Sequence, residues 1–404
     1  MRARSRALKG AGVLLLVVVV LAAGWVAFAL SRAVPAPTMS LSATTVAFPP
    51  SSHSLSLPHG VDSAIAVGGV GTVASSNANL VTPLASVTKI MSTLVILHDH
   101  PLTVGANGPA ITITPADVAT YNTERVQQDS VVPVRDGEQL TEFQALEAIL
   151  IPSGDNIVQL LANWDSGSTA AFVAKMNAMA RALGLHHTHY AGPSGVNPGS
   201  VSSPADQLRL AQIAMRNPTF ASIVAMPQAT LPVAGVVYNV NADLGTDGII
   251  GIKTGWLPQG GACFVFAAKA HVARAKVTIF GALEGQQGGS PLPTALSLAE
   301  HLVKATGSVL QMEHVPAGLK VATLSSAAGA SVALTTTSPL SLLGWGGARA
   351  RLKVRVSSHL SLPLKAGEDV GEVTLTFGSE RRRTALQTAG TLPVPSLRWR
   401  LGHF

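Results

Sequence analysis

A single cysteine, Cys263, stands in 404 residues. One thiol excludes an intrachain disulfide and any cysteine-based metal cluster. It lies in Ala262-Cys263-Phe264-Val265-Phe266, a run that predicts a buried strand and makes the thiol a small core residue. Charge is scarce as well, at 12% of residues, so much of the surface must be Ser, Thr, Asn, Gln and Gly. Aromatic residues make up 4%. No basic stripe interleaved with them occurs, so no nucleic-acid partner is expected. Glutamate is missing altogether between Ser153 and Lys253. The triplet His186, His187 and His189 has neither the spacing of one helix face nor a carboxylate or cysteine beside it, so no metal site is expected. Gly68-Gly69-Val70-Gly71 is too short and wrongly placed for a phosphate cradle.

What charge there is sits at the ends. Residues 1–32 carry five Lys or Arg and no acid, and residues 312–404 carry eleven against five acids. The stretch between them has twelve against sixteen, so the net +7 says nothing about an active site. Arg2, Arg4, Arg6 and Lys9 precede an unbroken apolar run over 10–30. At 1.5 Å per residue that run can cross a hydrocarbon core of about 30 Å, and its basic flank predicts the N-terminus inside and the rest outside. We read an uncleaved membrane anchor. Ala27-Phe28-Ala29 also fits a small-x-small cleavage pattern, which keeps a secreted form open. Residues 33–58 hold Pro35, Pro37, Pro49, Pro50 and Pro58 among Ser and Thr and read as a tether.

Within the body, 63–67 and 72–75 predict a β-hairpin across Gly68-Gly69. Residues 101–139 are punctuated by Pro and Gly and show no long periodic segment. Helices are expected over 140–150, opened by Thr141, from after Asn156 to about 164, over 169–183, over 204–216 and over 293–305. Strands are expected at 249–252, 263–268 and 275–283. Strands at both ends with helices between suggest one mixed sheet covered by helices, in a domain over 59–311. From about Val315 period-two alternation takes over, as in Leu352-Lys353-Val354-Arg355-Val356, and predicts a small all-β domain over 312–392, with 393–404 left as a tail.

The stretch Ala85-Ser86-Val87-Thr88-Lys89-Ile90-Met91 holds the one serine that stands three positions before a lysine. Val87, Ile90, Met91, Leu94, Val95 and Leu97 predict a helix that puts Ser86 and Lys89 on one face. A serine hydroxyl needs an adjacent base, and a lysine can be that base when burial or a neighbouring cation disfavours its ammonium. Ser153-Gly154-Asp155-Asn156 and Lys253-Thr254-Gly255 follow in order. Ser-x-x-Lys, Ser-Asp-Asn and Lys-Thr-Gly together mark class A β-lactamases and penicillin-binding proteins.

The flanking text, Leu150-Ile151-Pro152-Ser153-Gly154, Gly251-Ile252-Lys253-Thr254-Gly255 and Phe172-Val173-Ala174-Lys175-Met176-Asn177, resembles the D-alanyl-D-alanine carboxypeptidase family of penicillin-binding proteins over about 60–390. The resemblance implies an α+β fold: a β-lactamase/transpeptidase-like antiparallel sheet with a helical lobe, plus a small C-terminal all-β domain. It also implies a serine D-Ala-D-Ala carboxypeptidase of the bacterial envelope that trims peptidoglycan stem peptides, is acylated by β-lactams and needs no cofactor or metal. Ser86 would be the nucleophile, Lys89 its base and Ser153 the relay to the leaving amine. Asp155, Lys253, Thr254, Gly255 and Trp256 would bind substrate, with the backbone N–H groups of Ser86 and Trp256 as oxyanion hole. Relatives commonly anchor through a C-terminal amphipathic helix, and none is expected here.

Two departures stand out. The family's loop motif is Ser-x-Asn, whereas this chain has Asp155, with Asn156 one residue late. An arginine usual after the strand ending near Leu283 is replaced by Glu284-Gly285-Gln286-Gln287. Three alternatives stay open. A DD-endopeptidase or transpeptidase differs only in the acceptor. A β-lactamase of the same fold is disfavoured by the missing glutamate. A degenerate penicillin-binding scaffold would bind without turnover.

Overall fold

The computed structural model describes residues 2–273 and 275–403, with backbone alone for 2–10. The chain forms two compact units, residues 50–311 and residues 1–49 with 312–404.

The first unit is built on a five-stranded antiparallel sheet. Its order is Ile249–Leu257, Gly261–Val272, Ala275–Gln286, Asp62–Val67 and Gly71–Ser76. Gly261–Val272 is buried over Gly261–Ala268, which explains why its sequence is a continuous apolar run instead of an alternation. The helices Pro291–Val309 and Pro204–Ala214 pack on these strands. Phe264 and Phe266 are wholly buried there with ring centroids 5.5 Å apart, each worth ~1.5–3 kcal/mol by area. Cys263 is buried as expected, and its thiol lies 3.5 Å from the Pro83 carbonyl.

The helical lobe holds Lys89–Asp99, Pro115–Val126, Glu142–Leu150, Asp155–Ser166, Thr169–Ala182 and Pro218–Val224. Local chemistry starts most of them. Thr141 closes a capping box with Gln144, and Ser168 and Asn217 cap the helices that follow them, each cap contributing ~1 kcal/mol. Two helices were not expected: Pro115–Val126, in the stretch read as having no long periodic segment, and the seven-residue Pro218–Val224. Pro115–Val126 is at most half-buried, with Val118 and Tyr121 against the core, so its apolar stripe is too thin to read.

The second unit carries a seven-stranded antiparallel sheet. Its order is Thr38–Leu41, Lys320–Ser325, Ser331–Thr336, Glu380–Thr388, Asp369–Phe377, Arg349–Val356 and Thr45–Ala47. Both outer strands come from the segment read as a tether. Residues 38–41 pair with 322–325, and 45–47 with 349–351. The tether reading is therefore corrected for 38–47. Phe48 anchors the segment, 2% exposed and 5.1 Å from the ring of Phe377. Leu334, Leu342, Leu375 and Leu386 fill the same core.

The ends of the chain meet in this unit. Arg2–Ser31 is one helix whose stretch Ala11–Ser31, with mean hydropathy 2.9, is long and apolar enough to cross a membrane. The tail expected to lack a helix forms one, Leu397–His403, which packs on that long helix. The Arg400 guanidinium donates to the Arg32 carbonyl at 2.8 Å.

Candidate active site

Ser86 sits on a 3₁₀ turn, Ala85–Thr88, and the α-helix proper begins at Lys89. The expected helix is thus present, with Ser86 one turn ahead of it. Ala85 adopts φ 49°, unusual for a residue with a Cβ, and turns the chain so that Ser86 is only partly covered. Two glycines allow this turn to be packed so closely. At Gly195, φ +90°, a Cβ would lie 1.8 Å from the Ala85 carbonyl oxygen. At Gly255 it would lie 2.8 Å from the Ser86 amide nitrogen. The end of strand Ile249–Leu257 therefore runs beside the Ser86 N–H, where the oxyanion hole was expected, and Trp256 next to it is 51% exposed.

Lys89 is fully buried one turn on. Its Nζ donates to Ser86 Oγ at 2.9 Å, to Asp155 Oδ1 at 2.5 Å and to the Ser194 carbonyl at 3.1 Å. An ammonium fills all three contacts. A free amine keeps two and offers its lone pair to the Ser86 hydroxyl, so one geometry serves both forms. Asp155 opens the helix Asp155–Ser166, where the N-terminal dipole favours a carboxylate. Its Oδ2 accepts the Ser130 backbone N–H at 3.1 Å. Asn156 cannot substitute for it. Its side chain is committed to the Val132 backbone, accepting from N–H and donating to C=O, each at 2.9 Å.

Ser153 is held at φ 69°, and its buried Oγ has no hydrogen-bond partner among the described residues. A polar group buried and left unpaired costs ~1–3 kcal/mol, and such costs concentrate at functional sites. Lys253 is 2% exposed and donates to the Thr254 carbonyl at 3.0 Å. Burial, then the charge of Lys89, holds it down to about 7, while Asp155 pulls it back up. Thr254 is buried beside it.

Ser86, Asp155 and Trp256 line one cleft of about 310 Å³, together with Asp129, Ser130 and Gly195. Sequence reasoning missed the last three. Gly195 stands in the turn-rich Pro193-Ser194-Gly195, which was the available signal. It also missed Glu124, on the unexpected helix, whose carboxyl is pushed up to about 7 by burial and then by the charges of Asp155 and Asp129. The histidine triplet contributes through its backbone: His187 N–H donates to Asp206 at 2.7 Å, and His189 pairs with Val201.

The chain matches the D-alanyl-D-alanine carboxypeptidase family over residues 61–284. It is 32% identical over 227 residues to a D-alanyl-D-alanine carboxypeptidase of Streptomyces sp. strain K15, covering 50% of this chain and 76% of the relative. The crystal structure of the Streptomyces K15 DD-transpeptidase superposes with a TM-score of 0.54 at 28% identity, covering 62% of this chain and 98% of that one. Penicillin-binding protein 5 of Haemophilus influenzae shares the fold over 84% of this chain and all of its own, with a TM-score of 0.60 and 18% identity. Motifs, sheet and family match agree: this chain belongs to the D-alanyl-D-alanine carboxypeptidase family of serine peptidases.

Proposed function

We propose that Ser86 carries out the D-Ala-D-Ala carboxypeptidase reaction of this family on peptidoglycan stem peptides, through an acyl-enzyme. The observation that supports it most is the 2.9 Å contact between Lys89 Nζ and Ser86 Oγ, with the lysine wholly buried. The free amine of Lys89 takes the hydroxyl proton as Oγ attacks the carbonyl carbon of the penultimate D-alanine. The backbone N–H groups beside Gly255 receive the developing oxyanion; such donors typically contribute ~2.7–4 kcal/mol. The C–N bond then breaks, and Ser153, whose hydroxyl has no hydrogen-bond partner among the described residues, passes the proton to the departing D-alanine. Water hydrolyses the ester and returns the serine. Lys253 supplies the cation for the terminal carboxylate. Thr254 and Trp256 flank that position, and Asp155 holds the base in place.

β-Lactams acylate the same serine in this reading. The helix Arg2–Ser31 anchors the protein with its catalytic unit outside the cell, as its length and basic flank support. The test is release of D-alanine from a diacyl-L-Lys-D-Ala-D-Ala tripeptide. The chain should release it, and Ser86→Ala should not. A Ser86→Ala variant with undiminished release would overturn the assignment.

A further inference from the structure

The second unit presents a face that catalysis does not use. On strand Arg349–Val356 the side chains of Arg349, Arg351, Lys353 and Arg355 alternate outward, all exposed. Across the sheet, Arg351 faces Thr376 and Thr376 faces Arg381. In the next row Lys353 faces Thr374 and Thr374 faces Arg383. Two rows of cation, threonine, cation therefore lie on one surface, about 7 Å apart along the strands. They bound a shallow cleft of about 610 Å³ that has six cations and one carboxylate, Glu372. Glu372 lies 3.9 Å from Arg355, a pair too exposed to neutralise more than a fraction of the face. Six exposed like charges repel one another, and most of them are arginines, whose planar fork suits bidentate contacts with phosphate oxygens.

The chain holds this face close to the apolar helix. Six residues separate Ser31 from the strand that starts at Thr38, at most about 25 Å of extended chain. The arginine-bearing strand is paired directly with Thr45–Ala47. The other end of the unit returns to the same place, through Leu397–His403 packed on the long helix and Arg400 bonded to Arg32. Trp399 in that short helix is a residue type that concentrates at membrane interfaces. Such a tether makes contact with the bilayer surface effectively intramolecular.

We propose that this basic face docks on the anionic phospholipid headgroups of the membrane into which Ala11–Ser31 inserts. The proposal rests on the anchor reading. It gives the β-unit a role of its own: contact with lipid phosphates fixes the unit to the bilayer surface instead of leaving it free on its tether.

The experiment reconstitutes the full chain into phosphatidylcholine or phosphatidylglycerol vesicles and follows phenylglyoxal modification of individual arginines by peptide mass spectrometry. Arg349, Arg351, Arg355, Arg381 and Arg383 should react about fivefold or more slowly in the anionic vesicles. Arg181 and Arg209 of the other unit serve as controls and should not change. The protection should disappear in about 1 M NaCl, where the Debye length is ~3 Å. In the triple variant Arg351→Glu, Arg381→Glu, Arg383→Glu, protection of Arg349 and Arg355 should be lost. All three replaced side chains are exposed, so the sheet should keep its thermal unfolding transition. Equal modification in both lipids overturns the proposal. Protection by added long-chain polyphosphate in phosphatidylcholine vesicles, with none from phosphatidylglycerol, overturns it in favour of a soluble polyanion. A sodium carbonate wash reads the anchor separately. If the chain is extracted from both vesicles, the anchor reading fails, and the same labelling with vesicles added from outside still decides the face.

Discussion

Lys253 allows a quantitative test of how substrate is held. The side chain is buried on the strand beside the Ser86 turn, and burial with the Lys89 charge holds it down to about 7. A lysine clamps a carboxylate only as a cation, and this one loses its proton as pH rises through about 7. Half of the free enzyme then carries the charge at pH 7 and about a tenth at pH 8. Because kcat/KM reports the free enzyme, it should fall about fivefold across that unit for a D-Ala-D-Ala peptide. A peptide ending in D-alaninamide has no carboxylate to clamp and should lack this alkaline limb. In Lys253→Arg the guanidinium stays charged, and the limb should vanish from the accessible range. The assay is D-alanine or D-alaninamide release against pH. The same alkaline limb in the acid and amide substrates, and in the arginine variant, would refute the assignment of Lys253 to the carboxylate.

Other positions make separate tests. Asp155→Asn replaces the carboxylate that accepts from Lys89 Nζ by an amide that can both accept and donate. Penicillin acylation at neutral pH should be kept or raised, and a loss beyond about tenfold, ~1.4 kcal/mol of barrier, would place the carboxylate in the proton relay. Gly195→Ala puts a Cβ at 1.8 Å from the Ala85 oxygen at a φ of +90°. It should displace the Ser86 turn and cost ~10²-fold or more in acylation rate, read by stopped-flow, because small misplacements of reacting groups are that expensive. Glu284 is fully buried, its carboxyl is pushed up to about 8 by desolvation, and Thr82 donates to it at 2.8 Å. Its folded value lies above the unfolded one, so its contribution is whole below about 4.5 and is lost as pH rises through about 8. Glu284→Gln should therefore gain thermal stability relative to the parent between pH 5 and 8, by ~3 kcal/mol at pH 7, in calorimetric scans. A chain beginning at Pro35 should keep the thermal transition of the β-unit. One beginning at Pro50 should lose much of it, since both outer strands of that sheet would be gone.

The catalytic motifs were legible because each is local. A spacing of three residues places Ser86 against Lys89 whatever the rest of the chain does, whereas Lys253, expected at a strand end, lies in the middle of Ile249–Leu257. The buried strands were legible from their apolar runs, although Gly261–Val272 and Ala275–Gln286 extend beyond those runs into polar residues that only pairing organises. The misses share a physical cause. Strands Thr38–Leu41 and Thr45–Ala47 are short, and their partners lie some three hundred residues away, at 322–325 and 349–351. Helix Pro115–Val126 sets Val118 and Tyr121, both half-buried, against the core, too few to give a period, yet Thr114 and Asp117 form a capping box around Pro115 that local reading could have used. The role of Gly195 was invisible because the carbonyl it makes room for belongs to Ala85, more than a hundred residues earlier. Asn156, one residue late in the motif, is held by two hydrogen bonds to the Val132 backbone that no local pattern announces.

Ser86 is the one residue that the proposed reaction acylates. Intact-mass spectrometry of the full chain after benzylpenicillin treatment should show a single covalent adduct, mapped by peptide digestion to the segment containing Ser86. The adduct should be absent in Ser86→Ala and slowed by ~10²–10⁴ in Lys89→Ala. An adduct that persists in Ser86→Ala, or maps to Ser153, would contradict it.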